Sequence, residues 1–103
     1  MKDVFKALAD ESRRHLLDQL RQKDGQTLNE IREGLKMTRQ AASKHLAILE
    51  QANLVICVPA GRSKLHYLNA VPLQEIVDRW VSEFSQIQTR TLMQFKDELE
   101  NKK

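Results

Sequence analysis

Between Thr38 and Lys44 the chain reads TRQAASK and then turns apolar. Arg39, Gln40, Ser43 and Lys44 place two cations, an amide and a hydroxyl within two turns of a helix. A guanidinium can donate two hydrogen bonds to guanine O6 and N7, and a carboxamide can pair in the same two-pronged way with adenine. Each such pair discriminates between bases by about 1–3 kcal/mol. Ala41 is small enough to let the backbone approach, and its methyl suits a thymine methyl. Lys44, one turn further on, suits a phosphate better than a base. Behind this face, Ala42, Leu46 and Leu49 recur at three- and four-residue spacing, so the rear of the same helix must pack on a neighbour. The alternative is an ordinary half-buried helix with a solvated outer face.

Charge is concentrated in the same part of the chain. The net charge is +3 over 103 residues. Residues 36–71 hold five cations (Lys36, Arg39, Lys44, Arg62, Lys64) against Glu50 alone, so this segment carries +4 and the remainder −1. A localised excess of this kind points to a surface that meets a polyanion, more than overall pI does. Arg62 and Lys64 sit in AGRSK beside Gly61, a basic turn that could reach a phosphate backbone or an adjacent minor groove.

The elements that must position these groups are legible. Met1, Val4, Phe5 and Leu8 predict a short amphipathic helix, and Asp10 caps a second helix that buries Leu16, Leu17 and Leu20. TLNE (Thr27 to Glu30) is a capping box opening a third helix, with Leu28, Ile31 and Leu35 inward. Thr38 caps the fourth. Asn53 suits a left-handed stop after it. Leu54–Val58 and Lys64–Leu68 then read as two strands around a turn holding Pro59 and Gly61. Pro72 sits in the first turn of a last helix that carries apolar residues from Leu73 to Leu99, roughly 40 Å long. The fold class is mainly α with a small β-hairpin, in the order ααααββα, and residues 1–103 are expected to form one domain. Two short helices with a tight break, followed by a hairpin with a basic tip, describe a winged helix-turn-helix.

Three blocks then carry a resemblance: VFKALADESRRHLLDQL (Val4 to Leu20), MTRQAASKHLAILEQANLV (Met37 to Val55) and GRSKLHYLN (Gly61 to Asn69). Together they resemble the ArsR/SmtB family of bacterial repressors, over roughly Val4 to Phe84. GQTL, MTR, KHL, KLHYLN and RW further resemble one subgroup, often encoded beside a START-like lipid-pocket protein. The resemblance implies a homodimer that binds an inverted repeat in or near its own promoter, with Thr38 to Gln51 as recognition helix and Val55 to Leu68 as wing. Glu11 stands where the family usually has proline and Asn53 where it usually has glycine, and Lys36 occupies a turn position that is often glycine.

Sensing groups known from relatives are missing. LNEIRE offers no Cys-x-Cys-like cluster, and no histidine follows His66 to pair with aspartate on the last helix. His15, His45 and His66 fall on three separate elements, so no metal site and no cofactor are expected. Cys57, the only cysteine, lies alone in an apolar strand and reads as a small core residue, since thiol switches in relatives of the resembled family use two. No nucleophile–histidine–acid grouping or phosphate-cradling loop is present, so the chain does not read as an enzyme. With no apolar run near the roughly 18 residues of a membrane span and no signal-peptide pattern, a cytoplasmic protein is expected.

The expectation is therefore a homodimeric repressor of double-stranded DNA. Thr38, Arg39, Gln40, Ser43, Lys44, His45, Arg62 and Lys64 form the DNA surface. Val4, Phe5, Leu8, Trp80, Phe84, Ile87, Leu92 and Phe95 form the dimer interface. A ligand- or metal-gated repressor of the same fold, and a winged helix that docks on protein, are the other readings. Operator, regulated genes and effector are not legible.

Overall fold

The computed structural model describes residues 3–101, and the side chains of all of these except 84–89, 91 and 101. The chain divides into two compact units, Met1–Pro72 and Leu73–Lys103. The order is α1 (Val4–Leu8), α2 (Glu11–Gln22), α3 (Leu28–Leu35), α4 (Arg39–Gln51), β1 (Val55–Ala60), β2 (Ser63–Leu68) and α5 (Val71–Asn101). The expected order ααααββα is thus the observed one, and it is the winged helix-turn-helix order.

Each of the first four helices starts where a short polar side chain can accept from an otherwise orphaned backbone amide. Asp3, Asp10, Thr27 and Thr38 accept from the amides of Lys6, Arg13, Glu30 and Ala41. The capping box of α3 is complete: the Glu30 amide donates to Thr27 Oγ1 at 3.2 Å, and the Thr27 amide donates to Glu30 Oε1 at 3.2 Å. The end of α1 is closed differently. Its last carbonyls accept from α2, with Arg13 Nε donating to Ala7 O and Arg14 Nη1 donating to Leu8 O, both at 2.7 Å. Those two arginines hold the α1–α2 corner together, a role their sequence context does not advertise.

The core is small and apolar. Leu16 and Leu20 of α2, Ile31 of α3, Leu49 of α4 and Leu54 are fully buried. Each such side chain stabilises the fold by about 1.5–3 kcal/mol relative to exposure. Ala42, Leu46 and Leu49 form the buried stripe of α4, while Leu35 is only half-buried. The α3–α4 break is made by Lys36, whose φ of 53° is left-handed, and Asn53 ends α4 with a φ of 60°.

The hairpin is antiparallel, and its register runs from Val55 opposite Leu68 to Ala60 opposite Ser63. Its strands are shifted toward the tip from the Leu54–Val58 and Lys64–Leu68 expected, because the turn is only the two residues Gly61 and Arg62. Gly61 takes a φ of 61° at the first turn position, the place where the hairpin turn that suits right-twisted strands needs glycine. Pro59 is tolerated because β1 is an edge. On the other side of β2, the His66 amide donates to Gln26 O at 2.8 Å, a single bridge that acts as a third strand.

Val4 departs from expectation. Helical spacing puts it on an outward stripe, but it is 1% exposed and belongs to the core. A five-residue helix has one inward face, and here Val4 and Ala7 form it. Phe5 is exposed and Leu8 half-exposed. Met1 and the side chains of Phe84 and Ile87 lie outside the described residues. No helix among the described residues is long and apolar enough to cross a membrane.

Candidate nucleic-acid interface

The cap at Thr38 sets the rotation of α4, and the buried stripe fixes which face remains outward. Arg39, Gln40, Ser43 and Lys44 are all exposed on that face. They share a shallow depression with Leu28 and Ala47. The wing closes one side of a deeper groove, of about 420 Å³, whose lining includes Arg39 and Ser43 from α4 and Arg62, Ser63 and Lys64 from the hairpin. Hence the two basic features that are about twenty residues apart in sequence converge on one concavity. Thr27 and Asn29, at the start of α3, also line it. Neither stands out in the sequence, because one reads as a helix cap and the other is a neutral polar residue.

Thr38 and His45 differ from their neighbours. Thr38 is exposed, with its hydroxyl accepting from the Ala41 amide at 3.1 Å. His45 is half-buried, and its Nδ1 lies 3.4 Å from Arg13 Nη1. A residue two positions beyond Ser43 on a helix points to a different face, so His45 leans on α2 rather than sharing the groove of Arg39 and Ser43.

Electrostatically the groove is basic with one acidic residue, Glu50, at its α4 end. Beside it lie Cys57 and His66, directly opposite each other in the hairpin. Burial pushes the Cys57 thiol up. Glu50 adds to the effect through its charge and by accepting the thiol's hydrogen bond, and Lys64 opposes it. Cys57 therefore rests as a thiol, half-exposed to the groove rather than sealed in the core. The signal that would have found the Cys57–His66 pair in sequence is the turn: once Gly61 and Arg62 are the two turn residues, Cys57 must pair with His66, while Glu50 joins them only through the packing of α4.

A helix-turn-helix domain family model matches residues 8–58. Two curated relatives come from Bacillus subtilis (strain 168). An uncharacterised HTH-type transcriptional regulator, YuzN, is 37% identical over 84 residues, covering 76% of this chain and 91% of YuzN. The transcriptional repressor SdpR is 34% identical over 84 residues, covering 82% of this chain and 91% of SdpR. Among solved structures, an ArsR-like transcriptional regulator from Rhodococcus sp. RHA1 is 30% identical with a TM-score of 0.74, covering 92% of this chain and 88% of that one. A homodimeric winged helix-turn-helix DNA-binding domain from Mycobacterium bovis, described as a possible ArsR-family regulator, is 26% identical with a TM-score of 0.61, covering 84% and 75%. With the ααααββα order, the buried rear of α4 and the basic wing beside it, these similarities place the chain in the ArsR family of winged helix-turn-helix transcriptional regulators.

Proposed function

We propose that the chain is a homodimeric repressor that binds an inverted repeat in double-stranded DNA. The observation that carries this reading is the shared groove: Arg39 and Ser43 from α4 and Arg62 and Lys64 from the wing line one concavity, with Gln40 and Lys44 exposed beside them. In this reading α4 enters the major groove by its first two turns. Arg39, Gln40 and Ser43 meet base edges, while Lys44, Arg62 and Lys64 neutralise phosphates. Thr38 orients the helix by capping it.

The dimer is supported by α5. It runs 31 residues, about 46 Å at 1.5 Å per residue. Leu92, Met93, Phe95 and Leu99 are each more than half exposed on it. An apolar surface of that kind marks an interface. A second copy of α5, related by a two-fold axis, is the natural cover. The M. bovis neighbour is itself homodimeric, and SdpR is a repressor, which favours the same assembly and the same sign of regulation here. Two recognition helices would then lie about 34 Å apart, one turn of DNA.

Selection of bound duplexes from a random pool tests both parts together. A symmetric, two-half-site motif is expected. An asymmetric half-site would overturn the dimer on an inverted repeat, and operator affinity unchanged by the double substitution Arg39→Ala, Gln40→Ala would overturn the assignment of α4 as the reading helix.

A further inference from the structure

Glu50 near the end of α4, Cys57 on β1 and His66 on β2 each offer one ligand atom, and these atoms lie within 4.8 Å of one another. We propose that this trio is a divalent transition-metal site that ties the recognition helix to both strands of the wing.

Thiolate, imidazole and carboxylate together form a donor set of the zinc type, three protein ligands with a fourth position free. Bonds of about 2.0–2.3 Å place tetrahedral ligand atoms roughly 3.3–3.8 Å apart, so closing the trio takes at most about 1.5 Å of side-chain movement. All three residues line the groove, so an ion or a fourth ligand can reach them from that side. Two further features point to a ligand. Cys57 and His66 are direct cross-strand partners, which puts both side chains on one face of the hairpin. His66 is 6% exposed, and its Nδ1 meets the Gln26 carbonyl at 2.9 Å. A ring that donates at Nδ1 presents its lone pair at Nε2, and a carbonyl in that place is how ligating histidines are oriented.

Loading the site releases the thiol proton to solvent, as ligation by sulfur requires. Entry of a doubly charged ion with loss of one proton adds one net positive charge to the groove. Resting on the DNA-binding reading above, this charge strengthens phosphate attraction, and the new bonds hold the wing against α4. Bound metal is therefore expected to favour the DNA complex.

The test is titration of the untagged, metal-free full chain with cobalt(II). One equivalent per chain should bind, with the near-ultraviolet sulfur-to-cobalt band and intense visible bands of a tetrahedral centre, and zinc(II) should bleach both. Loss of an outer partner of a ligand costs about 10–100-fold in affinity, so removing a ligand itself, in Glu50→Gln or His66→Gln, should cost at least about tenfold. Cys57→Ser should abolish the charge-transfer band, with circular dichroism checking each variant's fold. Absence of a saturable band, or wild-type affinity in folded Glu50→Gln and His66→Gln, would overturn the site. The DNA arm is separate: zinc should tighten duplex binding several-fold in the wild type and not in Cys57→Ser. Unchanged affinity would overturn the coupling, while the cobalt spectrum still reports on the site.

Discussion

In the proposed reading, Gln40 and Lys64 have different tasks, one at a base and the other at a phosphate. Gln40 is exposed on the first turn of α4, where a carboxamide can read adenine. Gln40→Ala should relax sequence preference at one position per half-site by about 1–3 kcal/mol, measured by anisotropy against single-base operator variants. Lys64 sits near the wing tip, and in the proposed reading its ammonium meets a phosphate. Lys64→Ala should weaken all duplexes nearly equally. It should also lower the slope of log affinity against log salt, by about 0.9 for each phosphate left without its cation. Lys36 is a different case. Its left-handed φ of 53° costs a residue with a Cβ about 1 kcal/mol that glycine avoids. Lys36→Gly should raise stability by about 0.5–1 kcal/mol in urea unfolding, and any simultaneous fall in DNA affinity would identify Lys36 as a phosphate ligand too.

At the scale of elements, helix caps and helix rears do most of the positioning. The Glu30 carboxyl is held below the usual carboxylate range, first by the Thr27 amide and then by Lys23 and the Thr27 hydroxyl. Asp10 is lowered chiefly by the Arg13 amide. Groups depressed in this way stabilise the fold above the ordinary carboxylate pKa, and that stability is lost as pH falls through their lower folded values. Thermal unfolding between neutral pH and about pH 3 should therefore show an acid limb, and it should be shallower in Glu30→Gln and Asp10→Asn. The rear of α4 is the stricter requirement. Leu49 is fully buried, and Leu49→Ala should destabilise by about 2–5 kcal/mol. That is a large share of the roughly 5–15 kcal/mol typical of a domain, so DNA binding should fall with the folded fraction. Gly34 is placed for packing, not for a turn: a Cβ there would overlap the Gln19 amide, which donates to Gln26 Oε1 at 2.9 Å and so braces the strand segment beside β2.

The whole molecule adds what a single copy cannot supply. In the proposed reading, one α4 with its wing covers one half-site, and affinity for an operator comes from holding two at a set spacing. The exposed apolar residues of α5 are the means proposed for that. The double change Leu92→Asp, Phe95→Asp should shift sedimentation from dimer to monomer. It should also lower affinity for a two-half-site duplex by at least about tenfold, or about 1.4 kcal/mol, while leaving the melting of the Met1–Pro72 unit nearly unchanged. A dimer that persists in this variant would move the interface elsewhere. Phe5 and Leu8 of α1 would be the first places to look, since Val4 is spent in the core.

Local chemistry is readable from the chain alone. Asp10, Thr27 and Thr38 cap helices because short oxygen-bearing side chains satisfy free amides wherever they occur. Ala42, Leu46 and Leu49 are buried because a 3.6-residue period leaves one stripe to face a neighbour. The polar first turns of α4 and the basic tip at Arg62 and Lys64 follow from residue type alone. Three things depend on tertiary structure. Val4 turns inward because a one-and-a-half-turn helix has room for a single face, and which face is chosen depends on what α2 offers. His45 is turned off the outer face by its place on the helix, but what it meets there, Arg13 of α2 thirty-two residues earlier, is a matter of packing. Cys57, His66 and Glu50 meet because a two-residue turn sets the strand register and α4 lies across the hairpin. Spacing along a chain determines what one helix or strand can present; only the packing of several decides which of those groups share a space.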